Sequence, residues 1–226
     1  HERGTEAELI GEHRREQPVG EACQPIAARD QRGARRDERV ERSLHSAYSV
    51  RMPPIRQPAR ARLLRAADEL FYANGIAATG VDAVIARAGV ATGSLYKNFS
   101  GKDDLVAAYL TDRDQRFRTL WESQIDAATS PVDRLLAIFG ATEEWARHSD
   151  VRRGCAHVAA AAQLPQGHAG ISAAAEHKRF VITRLTSLAE AAGLRDPCRA
   201  AADIALIYDG MLSALALGGA PAPVER

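Results

Sequence analysis

The sequence predicts an all-α protein, and three observations carry that prediction. Apolar residues recur three and four positions apart in segment after segment between Pro58 and Leu217, the period of a helix with one buried face. No segment sustains the apolar–polar alternation of a strand. Finally, Ala88-Gly89-Val90 joins two short periodic segments through one tight turn, with Gly89 supplying the left-handed backbone angle. Two helices joined this closely make a helix-turn-helix, whose second helix fits the DNA major groove.

Composition bounds the rest. The 226 residues suffice for one medium domain or two small ones, and a 46% hydrophobic content permits a core. Thirty basic residues face 29 acidic ones, for a net charge of +1. A bulk polycation is excluded, so nucleic-acid binding requires a local patch. The lysines are Lys97, Lys102 and Lys178, and two of them fall in or beside the helix-turn-helix. Cys23, Cys155 and Cys198 are far apart, without the spacing of a disulfide scaffold or a zinc site. The charged start lacks a signal-peptide pattern, and the apolar run 204–217 is short and interrupted by Asp209. The expectation is a cytoplasmic protein with no membrane partner and no cofactor.

Taken in order, residues 1–51 hold ten arginines and ten acidic residues without a sustained period. They are expected to be disordered or an over-extended reading frame, with Met52 as a natural start. A helix follows Pro58, striped by Leu63, Leu64, Ala67, Leu70 and Phe71 and stopped at Asn74-Gly75. A second carries Val81, Val84, Ile85 and Ala88, with Thr79 to Asp82 fitting a capping box. A third runs from Thr92 to Asn98, anchored by Leu95 and Phe99. Ser100 to Asp103 reads as another capping box, opening a long helix with Val106, Tyr109, Leu110, Phe117, Leu120 and Trp121 on one side. Further helices are expected from Pro131 to His148, over 151–163, over 171–192, and from Pro197 to Leu217. The predicted organisation is a helix-turn-helix domain over 52–101, a helical body over 102–219, and a frayed tail over 220–226.

The third helix exposes small, hydroxyl, amide and basic groups between its two apolar anchors. Thr92 and Ser94 lie at its start, where backbone N–H groups favour phosphate; capping by Thr92 is an alternative compatible with DNA contact. The Tyr96 hydroxyl suits a phosphate, though the ring alternatively packs on the first helix. Lys97 faces away from the anchors and suits guanine, and Asn98 suits adenine or phosphate. Lys102 begins the fourth helix and is placed for a phosphate.

These residues resemble the tetracycline-repressor (TetR) family of bacterial transcription regulators. The resemblance runs from Ala61 to Leu105. It comprises Leu64-x-Ala66-Ala67 with Phe71 and Gly75; Val81-x-x-Val84-Ile85-Ala86 with Ala88-Gly89-Val90; Gly93-x-Leu95-Tyr96-x-x-Phe99; and Lys102-x-x-Leu105. It implies a homodimer with three DNA-binding helices per subunit, a connecting fourth helix, and a helical ligand-binding and dimerisation body. It further implies a palindromic double-stranded DNA operator and release by a small-molecule effector. Where the family usually has a second Ser or Thr, this chain has Gly80, so a phosphate contact is transferred only to Thr79. The DNA-binding set is then Thr79, Thr92, Gly93, Ser94, Tyr96, Lys97, Asn98 and Lys102.

In the body, Trp121, Phe139, Phe180, Tyr208 and Met211, together with Trp145, are candidates to line an effector pocket, with plain core packing as the alternative for each. Cys155 joins them, either as an electrophile-sensing thiol favoured by Arg152 and Arg153 or as a small buried residue. His157, His168 and His177 are spaced irregularly, so no metal site is expected. Residues 204–217 are apolar almost all round, so Leu212 and Leu215 are expected at a dimer interface. The leading expectation is a ligand-responsive repressor without catalysis. The rivals are a helical small-molecule-binding enzyme, for which no nucleophile–base spacing is found, and a dimerisation protein with a vestigial helix-turn-helix.

Overall fold

The computed structural model describes residues 57–218. Expectations for 1–51 and for the tail 220–226 lie outside these residues. The described chain is all-α, with α1 Ala59–Asn74, α2 Val81–Ala88, α3 Thr92–Asn98, α4 Lys102–Ala127, α5 Pro131–His148, α6 Ala156–Ala161, α7 Ala169–Ala191 and α8 Pro197–Ala216.

The head, α1 to α3, closes around Leu63, Ala67, Phe71, Val84, Leu95 and Phe99, all at most 3% exposed. Gly89 ends α2 with φ 59 and ψ 43, the left-handed conformation expected of it. Its carbonyl accepts a 2.6 Å hydrogen bond from Arg62 of α1, which ties the turn to the first helix.

Helix α4 belongs to two cores at once. Leu105, Val106, Tyr109 and Leu110 complete the head, while Phe117, Trp121 and Ile125 pack with α5, α7 and α8. The stripe that predicts this helix is therefore divided between two structural units. Ser130 caps α5 by accepting from the Asp133 N–H, and Asp196 caps α8 by accepting from the Arg199 N–H. Each of these helices has Pro in its first turn, as its sequence suggests.

Several local expectations need correction. Gly80, not Thr79, caps α2, and no side chain caps it. Gly101 caps α4, and Asp104 rather than Asp103 reaches back, accepting from the Ser100 N–H at 2.9 Å. The helix expected over 151–163 is only Ala156–Ala161, because Gly154 adopts φ +63 and the preceding residues turn. Leu212, expected at a dimer interface, is 6% exposed and packs in its own subunit's core. The apolar surface of α8 is instead presented by Leu206 and Ile207, at 71% and 60% exposed.

The head is fastened to the body by specific polar contacts. Asp68 of α1 accepts from Arg113 at 2.5 Å and from Arg116 at 2.7 Å, both on α4. The Tyr72 hydroxyl donates to the Gly154 carbonyl at 2.8 Å and accepts from the Arg153 N–H at 3.1 Å. The Ile76 N–H donates to Gln163 Oε1 at 3.0 Å. Thus the turns on either side of α6 grip the last turn of α1 and the segment that follows it.

Candidate functional site

Two regions carry chemistry. The first is the outer surface of α3. Leu95 and Phe99 point into the head at 0% and 3% exposed, which fixes the rotation of this short helix. Thr92, Gly93, Tyr96, Lys97 and Asn98 are consequently exposed, and Ser94 is half-buried. Ala91 holds the cap position of α3, so Thr92 is not spent on capping. Tyr96 is 59% exposed, which sets aside its packing against α1. Asn98 donates to the Ser94 carbonyl at 2.7 Å. Lys102 is half-buried at the start of α4.

Thr79 is a correction. It is 3% exposed, and its hydroxyl donates to the carbonyls of Gly75 at 2.8 Å and Leu70 at 3.3 Å. The hydroxyl secures the end of α1 and does not reach a phosphate.

Arginines surround α3, although the sequence places none within it. Arg60 lies 5.3 Å from the centre of the Phe99 ring. Arg62 holds the Gly89 turn, and Arg87 pairs with Glu69 at 2.5 Å. These side chains brace the head and add positive charge to it.

The second region is a cavity in the body between α4, α5, α6, α7 and α8. Cys155, Tyr208 and Trp145 reach its wall. Trp121, Phe139, Phe180 and Met211 do not line it. Trp121 is wholly buried, with Phe117 and Phe180 against it at ring-centre distances of 6.3 and 6.2 Å. It serves the core formed by α4, α5, α7 and α8.

The cavity brings together residues that the sequence separates. The ligating atoms of Cys155, His157 and His177 lie within 4.8 Å of one another. The two imidazoles are stacked, 4.0 Å between centres and 7° apart in plane. Behind them, His177 Nδ1 lies 2.6 Å from Asp114 Oδ1, and Asp114 is paired with Arg118 at 2.5 Å. His157 Nε2 donates to the Leu110 carbonyl at 3.1 Å. His168 is elsewhere, accepting from the Gly170 N–H to cap α7.

Charges in this group are mutually dependent. Burial pushes the Cys155 thiol upward, but the imidazoles of His157 and His177 outweigh it and hold the thiol well below its usual range. The expected arginines are not the cause. Burial pulls His177 down, and Asp114 and then Cys155 outweigh that and raise it. Burial pushes Asp114 up, yet His177 and Arg118 bring it below an ordinary carboxylate. Sequence spacing misses this nucleophile–base–carboxylate line because its members come from α4, the turn before α6, and α7. One signal was available: Arg113 and Asp114 interrupt the apolar stripe of α4 between Leu110 and Phe117. Polar residues at stripe positions mark a buried network.

Comparisons with known proteins agree with this geometry. Residues 63–109 match the family model described as "Bacterial regulatory proteins, tetR family". The HTH-type transcriptional repressor KstR2 of Mycolicibacterium smegmatis is 35% identical over 94 residues, covering 41% of this chain and 46% of that repressor. The chain therefore matches under half the length of this curated relative. Among solved structures, SCO4454, a TetR-family transcriptional regulator from Streptomyces coelicolor, is 33% identical with a TM-score of 0.65, covering 71% of this chain and 85% of that one. A putative TetR transcriptional regulator from Streptomyces avermitilis is 32% identical with a TM-score of 0.61, covering 73% and 89% respectively. Likeness on this scale reaches from the α1–α3 head through the helical body, and the chain belongs to the TetR family of transcriptional regulators.

Proposed function

We propose that this protein is a ligand-responsive transcriptional repressor that binds a palindromic operator as a homodimer. The observation that carries this reading is the rotation of α3. Its two apolar anchors are buried, and Thr92, Gly93, Tyr96, Lys97 and Asn98 stand together in solvent. Such a surface supplies phosphate contacts for affinity and a few base contacts for specificity. With a net charge of +1, the protein depends on this local surface rather than on bulk attraction. The exposed Leu206 and Ile207 supply the apolar face for a second subunit. The cavity carrying Cys155 and Tyr208 has room for only about one water molecule as it stands, so an effector entering there must widen it.

The test is selection of bound fragments from genomic DNA, followed by titration of the recovered site. A two-fold symmetric site is expected, with half-sites about one helical turn or a multiple apart. It should be bound about 10³-fold or more tightly than random DNA at the same salt. Binding without sequence preference would refute operator recognition.

A further inference from the structure

We propose that Cys155, His157 and His177 form a binding site for one thiophilic transition-metal ion of the zinc class per chain. Their ligating atoms already lie within 4.8 Å of one another. Each imidazole is anchored through the nitrogen that does not serve the site. His157 Nε2 faces the Leu110 carbonyl, which only accepts, so the proton sits on Nε2 and Nδ1 keeps its lone pair. His177 Nδ1 faces Asp114, leaving Nε2 as the donor atom. Metal-binding histidines are oriented in this way, by a carbonyl or carboxylate on the far nitrogen. Asp114 is itself held by Arg118.

An independent observation points the same way. His177 is 2% exposed, and its buried Nε2 meets no nitrogen or oxygen partner, only the Cys155 sulfur. A polar atom so weakly partnered at this depth is costly, and a coordinated ion would satisfy it. The donor set then selects the ion. One sulfur and two imidazoles suit Zn²⁺ or Cu⁺ and not Mg²⁺ or Ca²⁺. A thiolate with Asp114 behind it offsets a divalent charge. Three protein ligands leave a fourth position facing the cavity, open to water or an exogenous ligand.

Binding requires a defined rearrangement. The two rings are nearly parallel, so lone pairs lying in their planes cannot converge on one ion as they stand. With Zn–N bonds of about 2.0–2.1 Å, tetrahedral ligation needs the two nitrogens about 3.3 Å apart. The ring centres are 4.0 Å apart and the planes nearly parallel, so the rings must tilt about their anchored nitrogens while the sulfur closes in. The helices need not separate.

The experiment uses the reduced, chelator-stripped full chain, and its readouts do not involve DNA. Zn²⁺ is titrated in competition with a chromophoric chelator, and Co²⁺ serves as the spectroscopic probe. One Zn²⁺ per chain is expected, and the Co²⁺ form should show thiolate-to-cobalt charge transfer. Asp114→Asn should weaken Zn²⁺ about 10–100-fold. Cys155→Ser and His177→Gln should weaken it further, and His168→Gln should leave it unchanged. Circular dichroism checks that the variants fold. If one does not, the Co²⁺ spectrum of the unaltered chain decides. Failure to bind stoichiometrically, cobalt bands without thiolate charge transfer, or unchanged affinity in folded Cys155→Ser would overturn the proposal.

Discussion

Individual side chains of the head divide into exposed ones and bracing ones, and burial separates them. Lys97 is exposed on α3 beside buried Leu95 and Phe99. Lys97→Ala should relax preference at one position of each half-site, costing about 1–3 kcal/mol of discrimination if the ammonium contacts guanine. Tyr96→Phe should instead weaken all sequences alike. Competition titrations against operator and random DNA separate the two effects, and equal losses for Lys97→Ala would remove its base-reading role. Thr79 shows the limit of reading position by position. Its type and place before α2 suit a phosphate contact, but whether its hydroxyl points out depends on how α1 ends. The Gly75 and Leu70 carbonyls claim it. Thr79→Val should therefore cost about 1 kcal/mol of stability by removing this hydroxyl. Thermal melting measures that cost, and selectivity among operator variants should not change.

At the scale of elements, local chemistry was legible and tertiary demand was not. The Gly89 turn, the proline starts of α5 and α8, and the buried pair on α3 follow from neighbours in sequence. The shortening of α6 does not. Alanines there favour helix, but Gly154 turns left-handed so that its carbonyl can meet Tyr72, 82 residues away. The Cys155–His157–His177 group was hidden for the same reason, since α6 and α7 bring it together only once packed. Helix α8 gives a similar lesson. Its nearly all-round apolar sequence does not show which side faces a partner, and Leu212 proves internal while Leu206 and Ile207 face outward. Leu206→Glu or Ile207→Glu should dissociate dimers while preserving helicity, because neither side chain supports the subunit's own core. Sedimentation measures this, and an unchanged dimer in the double variant would place the interface elsewhere. Leu212→Glu should instead unfold the subunit.

In the whole molecule, the cavity and the reading surface share parts. Helix α4 contributes to both cores, and the turn carrying Gly154 and Cys155 is bound to α1 through Tyr72. A tilt of His157 on α6 therefore acts on an element that also grips the head through Gln163 and Ile76. If an occupant of the cavity favours a head spacing that mismatches the operator, it must weaken DNA binding. Linkage then requires the operator to weaken the occupant by the same factor, typically about 5–150-fold. With Zn²⁺ as the probe, operator affinity should fall as the ion binds, and Zn²⁺ affinity should fall equally on operator-bound protein. Tyr72→Phe removes the hydroxyl that joins α1 to the turn, so it should reduce this factor while leaving the three ligands intact. Equilibrium titrations of both proteins, with and without operator, close the thermodynamic cycle. Equal Zn²⁺ affinities in the free and operator-bound states would show that the ion does not report to the head. A factor unchanged by Tyr72→Phe would place the coupling on α4, whose rigid passage between the two cores is the other route.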